Sequence, residues 1–158
     1  MSSQIVIRPN QWSIFSLNVD PYFPLLDSVL APINANVSIA KDENGEVYWP
    51  NFNFNNIGNV EIGEAYQIKL FAADTFTVDG FYLYPENHGI SLASGWSLFG
   101  VTRLNPTAVI PTFAGILANV SLVKNSLGQV YWPQYNLDLI VNLNPGEGYQ
   151  IKRAMLLY

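Results

Sequence analysis

The sequence predicts a mainly β protein with short helices, made of two tandem homologous modules that share one core about a pseudo-twofold axis. Three observations predict this. The tetrapeptide Val-Tyr-Trp-Pro stands at Val47–Pro50 and again at Val130–Pro133. The residues around it repeat in register, which marks a duplicated unit. The apolar runs between turn signals are short, as strands are, and only one stretch per copy has helical spacing.

The register is long. Asn36–Lys41 (NVSIAK) lies over Asn119–Lys124 (NVSLVK), Gly45 over Gly128, and Ile57 over Ile140. Gly63–Lys69 (GEAYQIK) lies over Gly146–Lys152 (GEGYQIK), and each of these pairs has the 83-position separation of Trp49 and Trp132. Upstream, Trp12–Phe15 (WSIF) matches Trp96–Phe99 (WSLF) at a separation of 84, so one residue has been gained or lost between them. Residues 1–74 form module one, 84–158 module two, and 75–83 a connection. Modules this small rarely bury enough surface alone, so each is expected to complete the other.

Each copy opens with an apolar run, Trp12–Val19 or Trp96–Val101, that suits a buried strand. Next come apolar residues at helical spacing: Leu25, Leu26, Val29, Leu30 and Ile33 in one copy, Val109, Ile110, Phe113, Ile116 and Leu117 in the other. A short helix is expected in each, its start limited by Pro24 or Pro111. Val37–Lys41 then leads through Asp42-Glu43-Asn44-Gly45 into Glu46–Trp49, and Asn-Gly between two β-prone runs is a hairpin signal. The second copy keeps only the glycine, Gly128, at the position that needs a positive φ. Pro50 and Pro133 end the strand because proline cannot donate to a ladder. After an Asn-rich loop, Tyr66–Phe71 or Tyr149–Leu156 closes the module as a strand. Thr75–Tyr84 reads as a further strand or hairpin joining the copies, with Asp79-Gly80 at its turn.

Composition narrows the function. Of 158 residues 49% are apolar and 14% aromatic, while charged residues are 12%, about half the usual share. Much of the surface must therefore be Asn, Ser, Thr, Gln and aromatic, which suits faces that meet proteins or sugars. Net charge is −5, and the seven Lys and Arg are scattered, which argues against nucleic acid and anionic membranes as partners. With no cysteine, disulfides, thiolate metal sites and Cys nucleophiles are excluded. The start, MSSQIVIRPNQW, lacks a basic region followed by an apolar stretch, so synthesis in a cytoplasm without a signal peptide is expected.

The order Trp-Ser-Leu-Phe, Pro-containing helix, Val-x-Leu-x-Lys, Gly-x-Val-Tyr-Trp-Pro and Gly-Glu-Gly-Tyr-Gln-Ile-Lys resembles a Trp-rich module of bacterial surface and secreted proteins, of the Bacteroidetes type, and of their phages. The resemblance covers both copies. Copy one departs from it at Ser16-Leu17 and at Ala65, where the pattern has glycine. It implies a structural module and no chemistry. A chain made of the module alone, without a signal peptide, tilts the expectation toward a virion or other particle component.

Candidate ligand or partner contacts are Tyr48, Trp49, Tyr131 and Trp132, since an aromatic face offers apolar area with a polar tip. Neighbours on a strand point to opposite sides, so one of each pair should be core and the other exposed. Packing outweighs ligand binding in this reading, and Trp12 and Trp96, opening apolar strands, are expected in the core. Asp42-x-Asn44-Gly45 has a fragment of calcium-loop spacing without the rest of the loop, and a hairpin turn explains it better. Glu64 and Glu147 hold matching positions where paired carboxylates can do acid–base work, but Gly-Glu-x-Tyr turns commonly use the carboxylate locally. His88, the sole histidine, has no partners for a triad or metal site. Asn36-Val37-Ser38 and Asn119-Val120-Ser121 are sequons read as strand residues.

The expected role is a non-enzymatic structural or assembly protein, a phage virion component such as a capsid decoration protein or a tail or fibre adaptor. It would work through protein–protein contacts, as a homo-oligomer or docked on a scaffold, and without cofactor or metal. The alternative is a carbohydrate-binding or adhesin module at a bacterial surface.

Overall fold

A computed structural model describes residues 1–154; the end of the predicted strand Tyr149–Leu156 lies outside the described residues. Module one runs β1 (Ser2–Arg8), β2 (Trp12–Phe15), β3 (Val19–Pro21), α1 (Leu26–Val29) with a 3-10 turn Ala31–Asn36, β4 (Val37–Lys41), β5 (Val47–Trp49), β6 (Phe54–Asn55) and β7 (Tyr66–Leu70). β8 (Asp74–Tyr82) follows. Module two runs β9 (Gly95–Gly100), β10 (Thr107–Ala108), α2 (Val109–Phe113) with a 3-10 turn Ala114–Asn119, β11 (Val120–Lys124), β12 (Val130–Trp132), β13 (Leu137–Asp138), β14 (Asn142–Leu143) and β15 (Gly148–Arg153). The protein is mainly β with short helices, as predicted.

The repeated sequence builds the same sheet twice. One antiparallel sheet has the order β2-β7-β4-β5-β6, the other β9-β15-β11-β12-β13. Register agrees down to the residue, with Ile14 opposite Gln67 and Leu98 opposite Gln150. Even the irregularity recurs, between Val37 and Ile39 in β4 and between Val120 and Leu122 in β11. Pro50 and Pro133 end β5 and β12 and open short 3-10 turns.

The interior is not one shared core. It divides into a cluster around Phe15, Leu30, Tyr66 and Phe76 and another around Phe99, Phe113, Tyr149 and Ile151, with Ile14, Ala65 and Leu98 packed as a small third cluster at the seam. The modules meet there by exchanging equivalent contacts. The Ser16 amide donates to the Gly146 carbonyl at 3.1 Å, and the Gly100 amide to the Gly63 carbonyl at 2.9 Å. Both departures from the repeat sit on this seam, each facing a glycine. A Cβ on Gly100 would lie 2.6 Å from Ser16 Cβ, and one on Gly148 2.8 Å from Ala65 Cβ. One side chain fits at each place where two would collide.

Four expectations need correction. Asp79-Gly80 is not a turn: β8 continues straight through it, between β1 and β3. Glycine is needed there for close approach, since a Cβ would lie 2.1 Å from the Asp20 carbonyl oxygen. The apolar run Trp12–Val19 is two strands, because β3 leaves the module sheet to pair with β8. Pro111 lies inside the first turn of α2, where its missing N–H has no helical partner to lose. Trp12 and Trp96 are half-exposed and not core. They lie on the open face of their sheets with Lys41 and Lys124 ammonium groups 5.4 Å from their ring centroids.

Candidate functional site

The two Tyr-Trp pairs divide as strand alternation requires. Tyr48 and Tyr131 are buried, and Trp49 and Trp132 are exposed. Inside, the Tyr48 hydroxyl donates to Asn34 Oδ1 at 2.5 Å. Position 117, the counterpart of Asn34, is a leucine, so Tyr131 lacks that acceptor. Burial first, then the nearby Asp27 or Asp138 carboxylate, raises both hydroxyls above their ordinary pKa. Tyr48 and Tyr131 are therefore packing residues rather than contacts for a partner.

Outside, each tryptophan leans edge-to-face on an aromatic from the 3-10 turn that proline opens. Trp49 meets Phe52 at 4.5 Å between centroids, and Trp132 meets Tyr135 at 4.7 Å. Asn53 and Asn136 close these turns in the left-handed region, φ 55° and 50°. The result is the same exposed aromatic dyad presented twice. Phe52 and Tyr135 were legible as repeat counterparts, but nothing in the sequence showed that they would flank the tryptophans.

The acidic candidates do not form a matched pair. Glu147 Oε1 accepts from Arg8 Nη2 at 2.5 Å. Arg8 is 3% exposed and also donates to the Ile14 carbonyl and to Ser13 Oγ. At the counterpart of Arg8 stands Leu92, and Glu64 instead sits among acids. Burial first, then Glu43, Asp42 and Glu61, raises its pKa. Behind each turn a tyrosine hydroxyl accepts a backbone N–H, Tyr66 from Glu61 and Tyr149 from Asn144. Burial pushes the Tyr66 hydroxyl up to about 12. The Gly-Glu-x-Tyr turns thus work as structural corners at the seam.

Asp42 is likewise a turn residue: its Oδ1 accepts from the Asn44 and Glu46 amides at 3.0 and 2.8 Å. Asn125 repeats this in module two with Leu127 and Gln129. Between the two hairpins lies a polar cleft of about 530 Å³, lined by Trp12, Lys41, Gln67, Lys124 and Gln150. The sequence reading missed this cleft, although Lys41 and Lys124, and Gln67 and Gln150, are repeat counterparts. His88 lies on an exposed segment at the start of module two. Among the described residues no helix is long and apolar enough to cross a membrane.

Compared with family models, with curated proteins and with solved structures, the chain gives no match.

Proposed function

We propose that the protein is a non-enzymatic structural component that docks onto a larger assembly through protein–protein contacts, of the kind that decorates a phage capsid or adapts a tail or fibre. The observation that supports it most is the outward face of the β1-β8-β3 sheet. A half-buried strand normally turns its apolar residues inward. In β1 the pattern is largely inverted: Gln4 and Arg8 are buried beside Val6, while Ile5 and Ile7 are 67% and 69% exposed. Ile5 and Ile7 lie opposite Thr77 and Thr75 of β8, and Phe81 continues that outward face with Tyr22 edge-to-face on it at 4.7 Å. Exposed apolar surface of this kind marks interaction sites, and among the described residues β1 is also an unpaired sheet edge.

Solution mass by light scattering over a range of concentrations tests this reading, with an Ile5→Lys/Phe81→Lys variant beside the native chain. A defined oligomer that the variant loses supports it. A chain that stays monomeric and neither binds nor coats any particle sinks it.

A second reading, a carbohydrate-binding module, draws on the duplicated dyads Trp49–Phe52 and Trp132–Tyr135. Aromatic faces of this kind stack on sugar rings. A glycan screen decides it: binding that disappears in Trp49→Ala or Trp132→Ala, with the fold intact, favours the glycan reading over docking.

A further inference from the structure

The lysines are scattered in sequence and gathered in the fold. There are four, Lys41, Lys69, Lys124 and Lys152, in a chain of net charge −5. Residues opposite each other in an antiparallel ladder share a face, and so do alternate residues of one strand. Lys69 stands opposite Trp12 and Lys41 opposite Gln67. Lys152 stands opposite Trp96 and Lys124 opposite Gln150. All four lysines therefore lie on the open faces of the two module sheets, with Trp12, Trp96 and the two glutamines.

These faces meet at the cleft between the hairpins. Its walls carry Lys41 and Lys124, one from each module, with Trp12 beside them and Gln67 and Gln150 at the far side. A smaller cavity of about 160 Å³ at Trp96 shares both glutamines. The two make one trough with a tryptophan at each end and amides between. At about 530 Å³ the Trp12 end has the size of a small-molecule site.

The copies have kept this lining and changed what surrounds it. Tryptophan, glutamine and both lysines are identical in the two modules, although all are half-buried or exposed and no core holds them. Exposed polar and aromatic residues retained where packing does not require them point to binding. The neighbouring Asp42 and Glu43 have become Asn125 and Ser126. Asn125 still makes the turn that Asp42 makes, so the hairpin was kept and its charge dropped. Asp42 and Glu43 line the Trp96 end, while Asn125 and Ser126 line the Trp12 end. The Trp12 end thus holds two ammonium groups and no carboxylate.

We propose that the Trp12 end of the trough binds an acidic saccharide, a sugar ring that carries a carboxylate. Lys41 and Lys124 meet the carboxylate, the Gln67 and Gln150 amides bond ring hydroxyls, and the exposed part of Trp12 packs on the ring's C–H side. Single-stranded nucleic acid also pairs cations with aromatics, but it follows a continuous basic groove over open stacking platforms. Here an ammonium group already lies over Trp12, and Asp42 and Glu43 close the other end with negative charge. The site is separate from the β1-β8-β3 face and asks nothing of the assembly reading.

Isothermal titration calorimetry on the full chain tests this with hexasaccharides of galacturonate, mannuronate and N-acetylneuraminate. The methyl ester of each and a single-stranded hexadeoxynucleotide are titrated beside them. Saturable one-to-one binding of at least one acid is expected, at least tenfold weaker for its methyl ester and for Lys41→Gln/Lys124→Gln. Asn125→Asp restores a carboxylate in a turn that already accommodates one in module one, and should weaken binding at least threefold with unfolding unchanged. No saturable binding of any acid at millimolar concentration overturns the proposal, as does equal binding by the methyl ester or by either variant. So does tighter binding of the oligonucleotide. Binding lost in Trp49→Ala/Trp132→Ala also overturns it, because the outer dyads would then be the sugar site.

Discussion

Gly63-Glu64-Ala65-Tyr66 and Gly146-Glu147-Gly148-Tyr149 are nearly the same four residues in the same corner of the same sheet, yet their surroundings differ. Glu147 neutralises the buried guanidinium of Arg8. At the counterpart of Arg8 stands Leu92, and Glu64 is crowded by Glu43, Asp42 and Glu61. Ala65 carries the methyl for which Gly148 makes room. The lesson is that duplication kept what makes the sheet and changed what makes the seam. Backbone pairing in a sheet depends little on the neighbour's identity, whereas contacts across the seam must be complementary, so the copies diverge there.

That comparison can be broken most severely at Gly148. Gly148→Ala adds a Cβ 2.4 Å from Ile14 Cγ2 and 2.8 Å from Ala65 Cβ. Overpacking of this kind costs about 2–3 kcal/mol, read by urea unfolding. The swap Ala65→Gly/Gly148→Ala should recover part of it, and no recovery would mean that the two positions are not coupled. Glu147→Gln comes next, at about 2 kcal/mol, because it leaves the buried Arg8 without its charged acceptor. Glu64→Gln should show no such loss.

A third difference lies in the backbone. Gly58 has φ 77°, and its counterpart Val141 has φ 70°, a left-handed conformation that a β-branched residue adopts only under strain. Val141→Gly should therefore raise stability by about 1 kcal/mol by the same unfolding measurement, against the usual entropic cost of glycine. Tyr48→Phe removes a hydrogen bond to Asn34 and should cost about 1 kcal/mol, while Tyr131→Phe, lacking that acceptor, should cost little.

The smallest effect concerns pH. The Glu64 carboxyl has a folded-state pKa raised above its unfolded value. The folded protein therefore holds this proton more tightly, and stability from this group is fully present below the unfolded pKa and falls as pH rises through the folded one. Glu64→Gln should melt slightly higher than the native chain at neutral pH, with the gain fading in acid. A variant that melts lower at neutral pH would show that the charge is wanted.

Much of the module was legible because its signals are local. The Asn-Gly turn, the prolines after Trp49 and Trp132, and the repeat register each fix a few neighbouring residues, and the structure keeps them. β1 was not legible because its apolar residues fall on both faces: Ile5 and Ile7 suggest an inward face, but they point outward and Gln4, Val6 and Arg8 occupy the inward one. Asp79-Gly80 misled for a related reason, since a glycine required by the Asp20 backbone alongside looks in sequence like one required by a turn. For the four candidate contacts, alternation predicted that one of each pair would be core and the other exposed, and the structure assigns the buried places to Tyr48 and Tyr131. The exposure of Trp12 and Trp96 was hidden, because the lysines that cover their rings come from strands distant in sequence or from the opposite end of the module.

The fit of Ser16 against Gly100 and of Ala65 against Gly148 has a consequence for inheritance. Two copies of the first half alone would set serine against serine and alanine against alanine, and two of the second half would leave gaps where both side chains are missing. Each half is thus matched to the other and mismatched to itself. Were the gene divided between the modules, the halves should find each other in preference to their own kind.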